Sequence, residues 1–254
     1  MRIKLTIEYN GAGFCGWQRQ RERITVQETL EQAIYHVLGN EEMVSLYGAG
    51  RTDTGVHATG QIAHFDITGG VLADKWRANI NKLTPAINFY LIDTAISVHA
   101  AEIVSDDFHS RFSAKMRSYR YVIYNRKVRS VIYDTISWHI PRKLDEILMH
   151  EAALSLLGTH DLRSFCSSNC AKINTKRTTS SISIARDNDF VIVTIGAKSF
   201  LHNQVRIIVG TLVQIGLAKH QPSLMQYLLE SQDRTQAGPT APPHGLFLDK
   251  IEYE

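Results

Sequence analysis

A chain of 254 residues, 44% of them hydrophobic, is long enough for one large domain or two small ones and apolar enough to bury a sizeable core. Its formal charge of +3 is mildly basic, which neither demands nor excludes a polyanionic partner, and no apolar run reaches the length of a membrane span. The start, Met1-Arg-Ile-Lys-Leu-Thr-Ile-Glu8, alternates and lacks the apolar run of a signal peptide, and the three cysteines, Cys15, Cys166 and Cys170, leave at least one unpaired, which points to a reducing, cytoplasmic setting.

Arg2 to Tyr9 places Ile3, Leu5, Ile7 and Tyr9 on one face and reads as a strand. Asn10-Gly-Ala-Gly13 ends it in a turn. Phe14 to Arg23 is irregular and polar, with Trp17 set among glutamines and arginines. Thr25-Val-Gln-Glu28 is a capping box, and the helix behind it carries Leu30, Ala33, Ile34, Val37 and Leu38 at helical spacing until Gly39-Asn40.

Two strands, Met43 to Ala49 and Gln61 to Asp66, then flank a loop dense in turn-formers, Gly48-Ala-Gly-Arg-Thr-Asp-Thr-Gly-Val-His-Ala-Thr-Gly-Gln61. It contains one cation, Arg51, one carboxylate, Asp53, and one imidazole, His57. An isolated Asp-Thr-Gly is ordinarily a surface turn in which Asp bonds nearby backbone. The same residues also fit a reactive carboxylate on a rigid mount, with Arg51 beside it. No Gly-Lys-Ser/Thr follows the glycines, so the loop is not a Walker phosphate cradle, and Gly-Ala-Gly alone is too short for a dinucleotide site.

Ala73 to Leu83 reads as a second helix with Trp76, Ile80 and Leu83 inward, closed by Pro85, and Ile87 to Val98 as one or two central strands. The first hundred or so residues therefore run strand, helix, strand, strand, helix, strand, a ferredoxin-like or split βαβ order. Asp106 to Ser113 is a polar connector. Met116 to Tyr124 is a Tyr-rich strand with Arg117, Tyr119, Tyr121 and Ile123 on one face. Leu144 to Leu157 is a helix with Ile147, Leu148, Ala152 and Leu156 inward, ended by Gly158-Thr-His-Asp161. A hairpin, Ser181 to Ala185 with Phe190 to Gly196, turns at Asp187-Asn-Asp189. Asn203 to Leu217 is a strong helix with Val205, Ile208, Val209, Leu212, Val213 and Gly216 on one face, and Gly245 to Tyr253 a last strand.

The expected architecture is α+β: two ferredoxin-like or RRM-like halves, 1–108 and 109–254, sharing a long mixed, mainly antiparallel sheet with a central cleft. Basic clusters at Gln18 to Arg23, Lys115 to Arg120, Arg126 to Arg129 and Lys172 to Arg177 neighbour Trp17, Tyr119, Tyr121 and Tyr124. Cations interleaved with aromatics suit a polyanion whose bases can stack, although any one cluster fits a solvated face equally well. Cys166 and Cys170 lack companion residues at zinc spacing and read as structural.

Several segments, taken in order, resemble the A family of tRNA pseudouridine synthases. They are Phe14-Cys-Gly-Trp-Gln-Arg-Gln20, Gly48-Ala-Gly-Arg-Thr-Asp-Thr-Gly-Val-His-Ala58, Asp107-Phe-His-Ser-Arg-Phe-Ser113, Arg117-Ser-Tyr-Arg-Tyr121, Gly158-Thr-His-Asp161, Phe200 to Thr211, and Ala237-Gly-Pro-Thr-Ala-Pro-Pro-His-Gly-Leu246. The resemblance implies the pseudouridine synthase fold, isomerisation of uridine to pseudouridine in the anticodon stem-loop of tRNA (positions 38–40), a homodimer, and no cofactor, metal or membrane. By motif position Asp53 resembles the catalytic nucleophile, and Tyr119 the tyrosine that packs on the target uracil. Arg206 resembles the arginine that pairs with the catalytic carboxylate, and Arg51 the residue that helps hold the base out of the stack. The residue types suit the chemistry. The N1–C1′ bond must break, the uracil turn, and C5 join C1′. A carboxylate can attack C1′ or assist elimination at the sugar while the uracil stays trapped, and a guanidinium nearby favours its ionised form. The implied pattern leaves His57 and His202 structural or phosphate-facing.

The chain departs from the family pattern in three places: Thr54 and Ser110 stand where Ala is commoner, and the stretch from Pro85 to Asp107 is longer. Two other classes of function remain in view. A catalytically silent RNA-binding module would keep the basic clusters and need no Asp53. A nucleotide-binding enzyme would use the Gly-rich loop, but it lacks the Walker lysine and serine.

Overall fold

The computed structural model describes residues 1–40, 43–167 and 174–253. Cys170 and the Lys172 end of the last basic cluster lie outside the described residues. The chain forms two compact units, Met1–Lys115 with Leu248–Glu254, and Met116–Phe247. Among the described residues no helix is long and apolar enough to cross a membrane.

In the first unit, β1 (Arg2–Tyr9) buries Ile3, Leu5, Ile7 and Tyr9, the face that its alternation marks. Thr25 caps α1 (Val26–Val37), its hydroxyl accepting from Glu28 N–H at 3.4 Å. Helix α1 buries Leu30, Ala33 and Ile34, and also the carboxylate of Glu31.

The next strand is shorter than its pattern suggests. Only β2 (Tyr47–Gly48) pairs, antiparallel, with β3 (His57–Asp66). Upstream, side chains of α1 take the backbone groups that a strand would use. Glu31 accepts from Leu46 N–H at 3.0 Å, and Gln27 Nε2 donates to Leu46 O at 3.1 Å. Strand β3 starts four residues before Gln61, so His57 to Gly60 belong to the ladder and not to the loop.

Pro85 closes no helix. Two helices, α2 (Val71–Ala78) and α3 (Ile80–Leu91), meet at Asn79, and Pro85 lies inside α3. Leu83, Ile87 and Leu91 are buried at intervals of four, and this apolar stripe carries the helix through Pro85 despite the lost backbone donor. The expected strand at Ile87 is therefore helix, and the strand itself, β4 (Ile96–Val104), begins at Ile96. The strand order is β4-β1-β3 followed by β10 (Leu246–Glu252), whose residues from Leu248 onward belong to this unit. The β1–β3 and β1–β4 pairs are antiparallel.

The second unit orders its strands β5 (Met116–Tyr124), β9 (Phe190–Ala197), β8 (Lys176–Asp187) and β7 (Gly158–Asp161), all antiparallel, with β6 (Trp138–His139) parallel to β5. Each unit is thus an open sheet with helices, and the fold is α+β with mixed, mainly antiparallel pairing. Helix α4 (Glu146–Leu154) turns Met149, Ala152 and Ala153 inward, while Ile147 is 74% exposed. The reason is the cap. Asp145 accepts from Ile147 and Leu148 N–H at 3.1 and 3.0 Å, which puts Ile147 in the first turn, off the buried stripe. Gly158 to Asp161 does more than end α4: it pairs with β8 as β7. Helix α5 (Gln204–Gly216) is buried nearly all round, and α6 (Leu224–Ser231) follows it.

Candidate active site

The Asp53 loop leaves β2 and enters β3, and three residues from outside fix its shape. Gln61 binds Gly50 from both ends of its amide, Nε2 donating to Gly50 O at 2.7 Å and Oε1 accepting from Gly50 N–H at 3.3 Å. Tyr9 OH and Thr52 Oγ1 are 2.8 Å apart, and Gln61 Nε2 donates to Tyr9 OH at 3.5 Å. Tyr9, Thr52 and Gln61 are all buried, so these bonds form where unmet polar groups are expensive. Trp17 N–H donates to Thr52 O at 3.1 Å, and the Trp17 ring lies against Gly48, where a Cβ would stand 2.5 Å from ring Cε2. Val56 N–H donates to Asp53 O at 3.1 Å and closes the turn.

Gly50 and Thr52, the residues on either side of Arg51, are thus held from below, and Thr52 immediately precedes Asp53. Asp53 is half-buried, Arg51 exposed, and Thr54 exposed too. His57 is buried and accepts from Gly11 N–H through Nδ1 at 3.0 Å, a structural contact that ties β3 to the turn after β1.

Tyr119 sits in β5 opposite Ile195, buried to 8% exposure, its ring edge-on to Phe200 at 5.0 Å. Arg206 is the third residue of α5. Its Nε donates to Ala241 O and its Nη1 to Asn203 Oδ1, each at 2.8 Å, and its own carbonyl accepts from Ala241 N–H at 3.0 Å. Those bonds hold the guanidinium against the Ala241 carbonyl and the Asn203 side chain. Burial pushes the Tyr121 phenol up from its ordinary pKa, and the Arg206 charge opposes that shift. Burial lowers His244, and the same arginine lowers it further. His202 is exposed, with Nδ1 2.6 Å from Ser167 Oγ.

The structure therefore brings Arg51 and Asp53 together in one loop of the first unit and places Tyr119 and Arg206 in the second. The residues that sequence reasoning passed over are Tyr9, Thr52 and Gln61. One signal was available: Gln61 is polar at a strand position where its neighbours Ile62 and Ala63 are apolar. Among the described residues no group of three or more His, Cys, Asp or Glu side chains is placed to hold a metal ion.

A family model described as tRNA pseudouridine synthase matches residues 5–113 and 152–254. Arg51, Asp53 and Arg206 fall inside the matched residues, and Tyr119 falls between them. The tRNA pseudouridine synthase A of Wolbachia pipientis subsp. Culex pipiens is 46% identical over 254 residues, covering 100% of both chains. That of Pseudoalteromonas atlantica is 47% identical over 253 residues, covering 100% of this chain and 92% of the relative. That of Hyphomonas neptunium is 42% identical over 252 residues, covering 99% and 98%. With identity of this degree running from end to end, the chain belongs to the tRNA pseudouridine synthase A family, isomerases that convert uridine in tRNA to pseudouridine.

Proposed function

We propose that the chain acts on uridines of the anticodon stem-loop, positions 38–40, with Asp53 as the attacking carboxylate. The observation that carries this reading is the fixed loop. A single carboxylate stands directly after Thr52, whose carbonyl and hydroxyl are both held by buried neighbours. A nucleophile gains most from such a mount, because the reacting atoms must meet at a set distance and angle. Asp53 attacks C1′ or assists loss of the base there, and the freed uracil turns and rejoins through C5. Tyr119 packs on the uracil. Arg51 fills the space that the flipped base vacates, since a guanidinium stacks as well as pairs. Arg206 supplies the cation that accompanies the catalytic carboxylate. The working form is a homodimer in the cytoplasm, without a cofactor.

Tritium release from tRNA carrying 5-tritiated uridine tests the assignment, with tRNA binding followed in parallel. Asp53→Ala should bind tRNA like the wild type and release tritium at less than about one-thousandth of its rate. Equal release by both proteins would mean that another carboxylate attacks. Binding without release by the wild type would favour the silent RNA-binding module.

A further inference from the structure

The segment Asp107-Phe-His-Ser-Arg-Phe-Ser113 is one of the motifs of the chain, and the reaction chemistry above uses none of it. It is neither helix nor strand, yet it is tightly built. Ser113 Oγ accepts from His109 N–H at 3.0 Å, and Ser113 N–H donates to His109 O at 2.9 Å. His109 Nδ1 accepts from Arg111 N–H at 3.1 Å. Ser110 is fully buried: its hydroxyl donates to Tyr47 O, its N–H donates to His64 Nδ1 at 3.2 Å, and its carbonyl accepts from Tyr253 OH at 2.8 Å. The hydroxyl at this departure from the family pattern is therefore put to use. Arg2 grips Asp66 with both ends of its guanidinium, at 2.8 and 2.7 Å, and donates to the carbonyls of Asp106 and Phe108.

This rigid base carries an aromatic tier. His109 lies 4.7 Å from His64, 5.9 Å from Tyr47 and 4.4 Å from Phe112, ring centre to ring centre. Tyr47 stacks on His64 at 5.2 Å. Burial pulls the His64 imidazole down to about 4 and lowers His109 as well, so both rings are uncharged at neutral pH. The tier ends in the open: Phe112 is 75% exposed and Tyr47 51%. The Arg111 guanidinium, also exposed, lies 5.8 Å from the centre of the Phe112 ring. The nearby carboxylates Asp66, Asp106 and Asp107 act on Arg2, which partly offsets their charge. Tyr47 is the residue before Gly48, at the foot of the Asp53 loop.

We propose that Phe112 and Arg111, with Tyr47 beside them, form a landing site for an unpaired base of the tRNA substrate, the ring stacking on the base and the guanidinium meeting the adjacent phosphate. The site rests on tRNA being the substrate and is independent of the role given to Asp53. Charge decides the occupant. An exposed ring with a cation against it suits a base with its phosphate, and the half-exposed Tyr47 ring at the other end of the tier offers a second face for stacking. A second copy of the chain would ask for a broad apolar surface, roughly 800 Å² from each partner in an ordinary stable interface.

The test uses the full chain and fluorescently labelled tRNA, with affinity measured over a range of salt concentrations. Phe112→Ala should weaken binding about ten-fold, the size of one lost base–aromatic stack, while Phe112→Trp stays within about two-fold of wild type. Arg111→Gln should weaken binding and reduce the slope of log Kd against log salt by about one. Both side chains are replaced at exposed positions, and unchanged thermal unfolding of the three variants confirms that the fold is retained. Wild-type affinity in Phe112→Ala, with tritium release intact in the wild type, overturns this site and leaves the catalytic reading standing. Weaker binding that tracks a shift to smaller species in sedimentation also overturns it, because the ring then belongs to a contact between copies.

Discussion

The loop that carries Asp53 and the segment 237–245 that lies over Arg206 are both irregular chain, and they are held in opposite ways. Separate residues reach into the Asp53 loop: the Gln61 side chain takes Gly50, the Tyr9 side chain takes the Thr52 hydroxyl, and the Trp17 backbone N–H takes the Thr52 carbonyl. The 237–245 segment instead lays its backbone directly on α5. Gly238 N–H donates to Thr211 Oγ1 at 3.0 Å, Ala241 N–H to Arg206 O, and Tyr121 OH to Pro242 O at 2.8 Å. At Gly210 the approach is so close that a Cβ would stand 1.7 Å from Pro239 O. A loop held by separate, distant residues can be loosened one bond at a time. A segment seated on a helix backbone must move as a whole. The first arrangement suits a site whose geometry is adjusted finely, the second an anchor for one cation.

Three substitutions test that contrast, in falling order of effect. Gly210→Val should lift the 237–245 segment off α5 and cost about 3 kcal/mol or more, read as a lower midpoint in urea unfolding. A cost under about 1 kcal/mol would mean that the segment adapts and the contrast is wrong. Gly48→Ala drives a methyl group into the Trp17 ring. Its expected cost is about 1–3 kcal/mol, with tritium release falling further than stability predicts, because Trp17 N–H holds the carbonyl just before Asp53. Tyr9→Phe removes only a hydroxyl. It should cost about 1 kcal/mol and slow single-turnover tritium release several-fold with tRNA affinity unchanged. A loss of affinity with normal turnover would show that Tyr9 shapes RNA binding and not the reaction.

Much of the fold was legible where one face of an element decides its burial. The bounds of β1 and β5 match their alternation, and α5 shows its apolar face because almost every side chain on it is buried. Misreadings occurred where backbone partners come from far along the chain. Met43 to Leu46 has the composition of a strand but gives its Leu46 hydrogen bonds to Glu31 and Gln27. Pro85 looked like a stop, yet packing along Leu83, Ile87 and Leu91 outweighed it. Ile147 looked like core until Asp145 set the phase of its helix.

The sequence carried the family resemblance and the order of its motifs, because each motif is a local stretch of residues. It also determined that Arg51 and Asp53 share one short loop. Only the tertiary structure decided what holds that loop, since Tyr9, Trp17 and Gln61 reach it from separate elements and no spacing rule links them. The tertiary structure likewise turned Phe112 outward and Ser110 inward within three residues of chain. Hydrogen bonds from Ser110 to Tyr47 and His64, and from the Tyr253 hydroxyl to the Ser110 carbonyl, set that division, and those partners are distant in sequence and adjacent only once the first unit has folded.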